Sequence, residues 1–348
     1  MLREIGGRAI GAEAPVFVIA EIGLNHGGSV DRALALVDAA ADAGASAVKL
    51  QTLTAETLVA PSCPAPAHVT ATSLQAFFAT FELDDAAHRR IVARARARGL
   101  AVLSTPFSEE AVDRLEPLGL DAYKIASGDL TWDGLIRRAA RTGRPLVLST
   151  GMSTLDEVRR AVSVARDAGC AQLAVLHCVS AYPTPAASRN LRAIQTLATA
   201  LDVPVGLSDH AQGVVSAIAA VALGAHLYER HLVLDDDVDA IDRAVSSTPA
   251  ALRQLVADLA EVRAALGTGD KVCQPAEAPN VVPSRRGVYA RRALRRGTRV
   301  APGDLIALRP ATALPPSAID TLAGVRLAQD IPAGAALRDS DFLMEQAS

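Results

Sequence analysis

The sequence predicts an α/β chain built as a (β/α)8 barrel followed by a small C-terminal β module of β-clip type. Three observations carry this expectation. Eight short β-rich runs alternate with segments of helical spacing, polar residues collect at the carboxyl end of each run, and the pattern changes after a proline-rich stretch.

The runs are 16–21, 47–51, 101–105, 122–126, 145–149, 173–177, 203–206 and 225–229. Between them, residues 31–43 bring Leu34, Val37 and Ala41 to one helical face, and 156–168 do the same with Val158, Val162 and Ala165. Gly44, Gly99 and Gly169 follow such segments as helix stops. An open doubly wound sheet is the competing arrangement. Its phosphate turn is missing, because Gly23-Leu24-Asn25-His26-Gly27-Gly28 after the first run lacks GxGxxG spacing.

Each run ends in chemistry: Glu21, Lys49 with Gln51, Ser104 with Thr105, Lys124 with Ser127, Ser149 with Thr150, His177, Ser208 with His210, and Glu229 with His231. In a barrel the carboxyl ends of the strands form one rim, so this repetition marks a catalytic face. His210 in Gly206-Leu207-Ser208-Asp209-His210 and His231 in Tyr228-Glu229-Arg230-His231 fall on neighbouring runs. On the residues alone, the pair fits a two-imidazole metal site and a pair of hydrogen-bonded structural histidines equally.

Composition bounds the function. The 348 residues are half apolar, enough for a large core plus an appendage, and only 3% aromatic, which disfavours a base-stacking nucleic-acid surface. The longest apolar run, 214–227, is too short to span a bilayer, and residues 1–15 lack a signal-type apolar stretch, so a cytoplasmic protein with no membrane partner is expected. Cys63, Cys170, Cys178 and Cys273 lie far apart without a CxxC pair and are expected as free thiols. From Arg285 onward ten arginines face six acids, a surplus of four positive charges in a chain of net −3. Seven of those arginines fall between Arg285 and Arg299, yet only Tyr289 there would stack on a base; no nucleic-acid partner is expected.

The barrel is assigned to residues 1–270, a linker containing Pro275, Pro279 and Pro283 to 271–283, and the second domain to 284–348. That domain carries a weak repeat: Leu294, Gly297, Val300, Asp304 and Leu305 recur 37 residues later as Ile331, Gly334, Leu337, Asp341 and Phe342. Such repetition predicts pseudo-twofold symmetry.

The motifs, taken in order, resemble the sialic acid synthase family, which comprises N-acetylneuraminate synthase and its legionaminate and pseudaminate relatives. They are Ile19-Ala20-Glu21-Ile22-Gly23-Leu24-Asn25-His26, Val48-Lys49-Leu50-Gln51-Thr52, Ser104-Thr105-Pro106-Phe107-Ser108, Tyr123-Lys124-Ile125-Ala126-Ser127-Gly128, Leu148-Ser149-Thr150-Gly151-Met152, His177-Cys178, Tyr182-Pro183-Thr184-Pro185, and the two histidine segments. The C-terminal segment resembles the antifreeze-like (SAF) domain that follows the TIM barrel in this family. The resemblance implies condensation of phosphoenolpyruvate with an N-acetylated aldohexose such as N-acetylmannosamine, with release of phosphate. It places Lys49, Thr105, Lys124, Ser127, Ser149 and Ser208 around phosphoenolpyruvate, and two ammonium groups with hydroxyls are a suitable cradle for phosphate and carboxylate. It gives His210 and His231 a divalent ion, manganese first with magnesium or cobalt as substitutes. Glu21 and Asp242 are implied as catalytic residues that orient sugar hydroxyls or move protons, Gln51 and Tyr182 also fall on the sugar side, and His177 and His26 are supporting or purely structural. It also implies a domain-swapped homodimer in which Arg309 acts on the partner's barrel.

The chain departs from the family pattern at four places: Val238-Asp239-Ala240-Ile241 replaces a Pro-Gly-Pro type loop before Asp242, Ser180 stands where Asn is common, Asp129 where Glu is common, and Ala311-Thr312-Ala313 follows Arg309-Pro310 in place of glycines. All fall on the acceptor side. A legionaminate- or pseudaminate-type acceptor, or a noncatalytic carbohydrate-binding role, is therefore the alternative expectation. A synthase of the deoxy-octulosonate or deoxy-heptulosonate class would need further strand-end arginines for a second phosphate, and these are not present.

Overall fold

The computed structural model describes residues 2–64 and 71–343, so residues 344–348 of the second domain lie outside the described residues. The chain divides into two compact units, Met1–Gly267 and Thr268–Ser348.

The first unit is a closed barrel of eight parallel strands: β1 (Phe17–Glu21), β2 (Ala47–Thr52), β3 (Ala101–Pro106), β4 (Ala122–Ile125), β5 (Leu146–Ser149), β6 (Leu173–Cys178), β7 (Val205–Ser208) and β8 (Leu227–His231). Pairing of β8 with β1 closes it, with His231 opposite Glu21. The last two strands run two residues beyond their predicted apolar runs. Leu207 and Ser208 still pair with Tyr228 and Glu229, so the hydrogen-bond ladder, rather than hydrophobicity, sets the strand end. The main helices between and after them are α1 (Val30–Asp42), α2 (Asp85–Ala97), α3 (Glu109–Leu115), α4 (Asp133–Ala140), α5 (Leu155–Asp167), α6 (Ala193–Leu201), α7 (Val215–Ala222) and α8 (Pro249–Leu266), with two short helices, Ala55–Leu58 and Leu74–Ala79, in the loop after β2.

Local sequence explains their limits. Asp84 and Ser108 cap α2 and α3 by accepting the amides of Ala87 and Ala111, and Thr154 with Glu157 forms a reciprocal capping box on α5. Gly44, Gly99 and Gly169 all adopt left-handed φ after α1, α2 and α5, as stop residues do. The buried stripe of α5 holds the predicted Val158, Val162 and Ala165. That of α1 is Ala33, Leu36, Val37 and Ala40, with Leu34 and Ala41 only at its margin, because the small alanines let the helix approach the strands closely.

Strand alternation splits the core into two layers. Outward residues such as Val48, Val102, Leu148, Val175 and Leu207 pack under the helices, while Phe17, Ile19, Ala47, Leu103, Val147, Leu176 and Leu227 fill the lumen. A two-stranded N-terminal hairpin, Glu4–Ile5 with Arg8–Ala9, adds Leu2, Ile5 and Ile10 to the lumen cluster and seals its floor.

In the second unit, residues 271–283 are more than the bare linker expected: the helix α9 (Ala278–Ser284) begins within them and carries Pro283 internally. Strands β9 (Gly287–Ala290) and β10 (Leu305–Leu308) pair antiparallel. The internal repeat is structural. Leu294 and Ile331 bridge each other, Leu294, Val300 and Leu305 share a core with Ile331, Leu337 and Phe342, and Asp304 and Asp341 each accept a backbone amide three residues upstream.

Candidate active site

A cavity of about 400 Å³ opens at the carboxyl ends of the strands. It brings together Glu21, Lys49, Gln51, Thr105, Lys124, Ser127, Ser149, Ser180, Tyr182, Ser208, His210, His231 and Asp242. Inward positions in β1 to β8 are apolar at the amino end and polar only in the last turn of pleat, so these residues form one ring. Arg309, exposed just beyond β10, belongs to the other compact unit.

Glu229 organises the ring, although the sequence reading gave it no role beyond a strand-end acid. It is buried, accepts Lys124 Nζ on both oxygens at 2.8 and 3.0 Å, and accepts Ser208 Oγ at 2.8 Å. Lys49 Nζ lies 3.9 Å from the same carboxylate, donates to Thr105 Oγ1 at 3.0 Å and pairs with Glu21. Burial opposes the ionised form of Glu229, but Lys124 and Lys49 outweigh it and hold its pKa down at about 2. Burial also pulls Lys49 down to about 7, against the attraction of Glu229. Period-two alternation from His231 would have pointed to Glu229; nothing local would have revealed Lys124 as its partner.

The imidazoles of His210 and His231 face each other with centroids 5.6 Å apart, and Tyr182 lies over His210 at 4.1 Å. Their environments differ. Burial disfavours a charged His210, yet Cys178 Sγ at 3.8 Å and the Val179 carbonyl at 3.2 Å from Nδ1 push its pKa above the usual value. His231 falls well below, through burial and then the neighbouring His210. Its Nδ1 is buried with no hydrogen-bond partner and lies 3.5 Å from Asp242 Oδ2. An orphaned ring nitrogen, a second imidazole and an adjacent carboxylate are suitable donors for a divalent cation. Among the described residues, no group of three or more His, Cys, Asp and Glu side chains is arranged to hold a metal ion by itself.

Asp242 is held by a residue that was read only as part of a motif. Buried Asn25 accepts the Asp242 amide at 3.1 Å and donates to Leu232 O at 2.8 Å and Ser246 Oγ at 2.9 Å. The departing loop 238–241 thus still delivers its carboxylate. Ser127 and Ser180 flank Gly151, where an added Cβ would lie 2.8 and 2.3 Å from their hydroxyl oxygens. His26 and His177 line neither the ring nor its floor: His26 Nδ1 accepts the Gly28 amide, and His177 Nε2 contacts Arg189 O at 2.8 Å. Cys178, also unassigned by sequence, lines the cavity, and all four cysteines are free. No helix among the described residues is long and apolar enough to cross a membrane.

The family model described as NeuB matches residues 36–271, and that of the SAF domain matches 285–343. The N,N'-diacetyllegionaminic acid synthase of Legionella pneumophila is 35% identical over 348 residues, covering 96% of this chain and 97% of its own. The pseudaminic acid synthase of Campylobacter jejuni is 32% identical over 333 residues, covering 94% and 96%. The crystal structure of N-acetylneuraminic acid synthetase from Leptospira borgpetersenii superposes with a TM-score of 0.74 at 33% identity, covering 80% of this chain and 94% of that one.

Proposed function

The chain belongs to the NeuB family and carries a SAF domain, and from that premise we propose that it condenses phosphoenolpyruvate with an N-acylated aldohexose to give a nonulosonic acid and phosphate. The observation that carries this reading is the convergence of Lys49 and Lys124 on buried Glu229, in a cavity also lined by the two facing imidazoles. The acceptor is an acetamido hexose. The relatives' names divide between legionaminic, pseudaminic and sialic products, so a legionaminate- or pseudaminate-type sugar stands beside N-acetylmannosamine.

Lys49 and Lys124 would bind the phosphate and carboxylate, with Thr105, Ser127, Ser149 and Ser208 donating hydroxyl hydrogen bonds. Cavity charges support a resident cation: Glu21, Glu229 and Asp242 outnumber the two lysines, so the empty ring would repel a polyanion. When bound to His210 and His231, a divalent ion, manganese by preference with magnesium or cobalt as substitutes, would supply Lewis acidity toward the acceptor's aldehyde oxygen. The C3 carbon of phosphoenolpyruvate forms the new bond to the aldehyde carbon as the C=O π pair moves onto the aldehyde oxygen, leaving C2 electron-poor. Water adds at C2 and passes one proton, through Glu21 or Asp242, to that alkoxide; collapse of the tetrahedral carbon to the ketone breaks the C2–O bond, and phosphate leaves with the second proton. Gln51, Tyr182 and Ser180 orient the sugar. We further propose a homodimer in which Arg309 of one protomer reaches the acceptor side of the other; the basic surplus of this segment suits a barrel that is acidic by difference.

The test is phosphate release from a panel of acetamido hexoses with manganese, lost on addition of EDTA. No release across the panel overturns the synthase reading in favour of a carbohydrate-binding role. With 18O at the bridging position of phosphoenolpyruvate, the label is expected in phosphate; its recovery in the sugar acid excludes the proposed cleavage. Mixing Lys124→Met and Arg309→Ala protomers restores part of the activity if Arg309 acts on the partner.

A further inference from the structure

Directly behind the two histidines, on the outward face of β8 and at the residue that follows β7, lies a buried polar cluster that lines no part of the catalytic cavity. Asp209 and Arg230 each precede a histidine by one residue, so alternation turns them from the lumen toward the helix layer. Asp209 Oδ2 accepts Tyr228 Oη at 2.8 Å and Arg230 Nη1 at 3.4 Å. The same Arg230 nitrogen donates to Tyr228 Oη at 3.2 Å and to Gly213 O at 2.8 Å, while Asp209 Oδ1 accepts the Ala211 amide at 2.9 Å. His210 is thus bracketed at the amide that follows it and at the carbonyl three residues on. The guanidinium making the second contact is rooted one residue before His231.

A buried ion pair of this kind adds little stability over packed aliphatic side chains such as Ala20, Val48, Val102 and Val175, which fill outward positions on other strands. Its contribution is geometric. We propose that Asp209, Tyr228 and Arg230 are positioning residues that set the separation and tilt of the His210 and His231 imidazoles, and through them the affinity for a divalent cation. This rests on the metal reading above.

The test is Mn2+ binding to EDTA-stripped full-length protein, followed by electron paramagnetic resonance of the free ion, beside thermal unfolding in EDTA. The variants are Asp209→Asn, the double substitution Asp209→Leu with Arg230→Met, and His210→Ala as the ligand control. Both cluster variants are expected to bind Mn2+ about 10- to 100-fold more weakly, with the double variant, which removes both charges but leaves the Tyr228 hydroxyl without its acceptor, unfolding somewhat below the wild-type temperature while staying folded where binding is measured. Wild-type affinity in the double variant overturns the positioning role while leaving the metal site intact, and so does a loss of affinity seen only in samples already unfolded. Absence of Mn2+ binding in the wild type overturns the metal reading itself, and this role with it. Should Asp209→Asn fail to fold, the double variant decides.

Discussion

The floor and the rim of the barrel lumen are built from the same strands at the same inward register, yet Phe17, Ile19, Ala47 and Leu103 line one and Glu21, Lys49, Lys124 and Glu229 the other. The floor is apolar and sealed by the N-terminal hairpin. The rim holds buried charges that pair with one another, with the Thr105 and Ser208 hydroxyls adding hydrogen bonds. Height along the strand therefore decides whether an inward side chain supports stability or chemistry.

The hardest test of that division is Glu229→Ala. Without this carboxylate Lys124 loses its ion-pair partner and Lys49 one of its two carboxylates, and the expected cost is about 3–5 kcal/mol of folding stability together with loss of turnover, read by urea unfolding and phosphate release. A variant that folds and turns over normally would break the comparison at the rim. Next, Ile19→Ala on the floor, fully buried in the wild type, is expected to cost about 2–5 kcal/mol while kcat/KM of the folded protein stays within about twofold of the wild type, since the floor touches no reacting atom. A large fall in kcat would show that floor and rim are coupled. Smaller again is Gly151→Ala, whose methyl group would press on the Ser127 and Ser180 hydroxyls. It is expected to lower kcat/KM about tenfold, an effect of about 1.4 kcal/mol, with little change in unfolding.

The gentlest probe leaves the protein unmutated. Lys49 is depressed to about 7 by burial, so at about pH 8 it is mostly neutral in the free site. An anionic ligand favours its charged form, so phosphoenolpyruvate binding should take up about one proton there, and this contribution should vanish near pH 6, where the lysine is already charged. Calorimetry in buffers of different ionisation enthalpy measures the uptake. Its absence at about pH 8 would mean that Glu21 already holds the ammonium in the free protein.

Much of this was legible without coordinates because barrel logic is periodic. Apolar runs at regular intervals located all eight strands, and polar residues at their ends located Lys49, Lys124, Ser149 and Ser208 in the cavity. The spacing of two histidines on adjacent runs placed both imidazoles on one rim, and the 37-residue repeat located the paired halves of the second unit. Strand ends were less legible. The runs read from the sequence stop at Gly206 and Glu229, while the ladder continues through Ser208 and His231.

What the chain determined by itself was which residues face inward, since alternation follows from local backbone geometry. Partners were decided only by closure of the barrel. Glu229 meets Lys124 across 105 residues of sequence, Asn25 holds Asp242 across 217, and Asp209 meets Arg230 behind the histidines across 21. A carboxylate carries no mark in sequence of which ammonium or amide it will face. That depends on the strand order and register that bring distant segments within hydrogen-bond reach, and only the folded barrel fixes those.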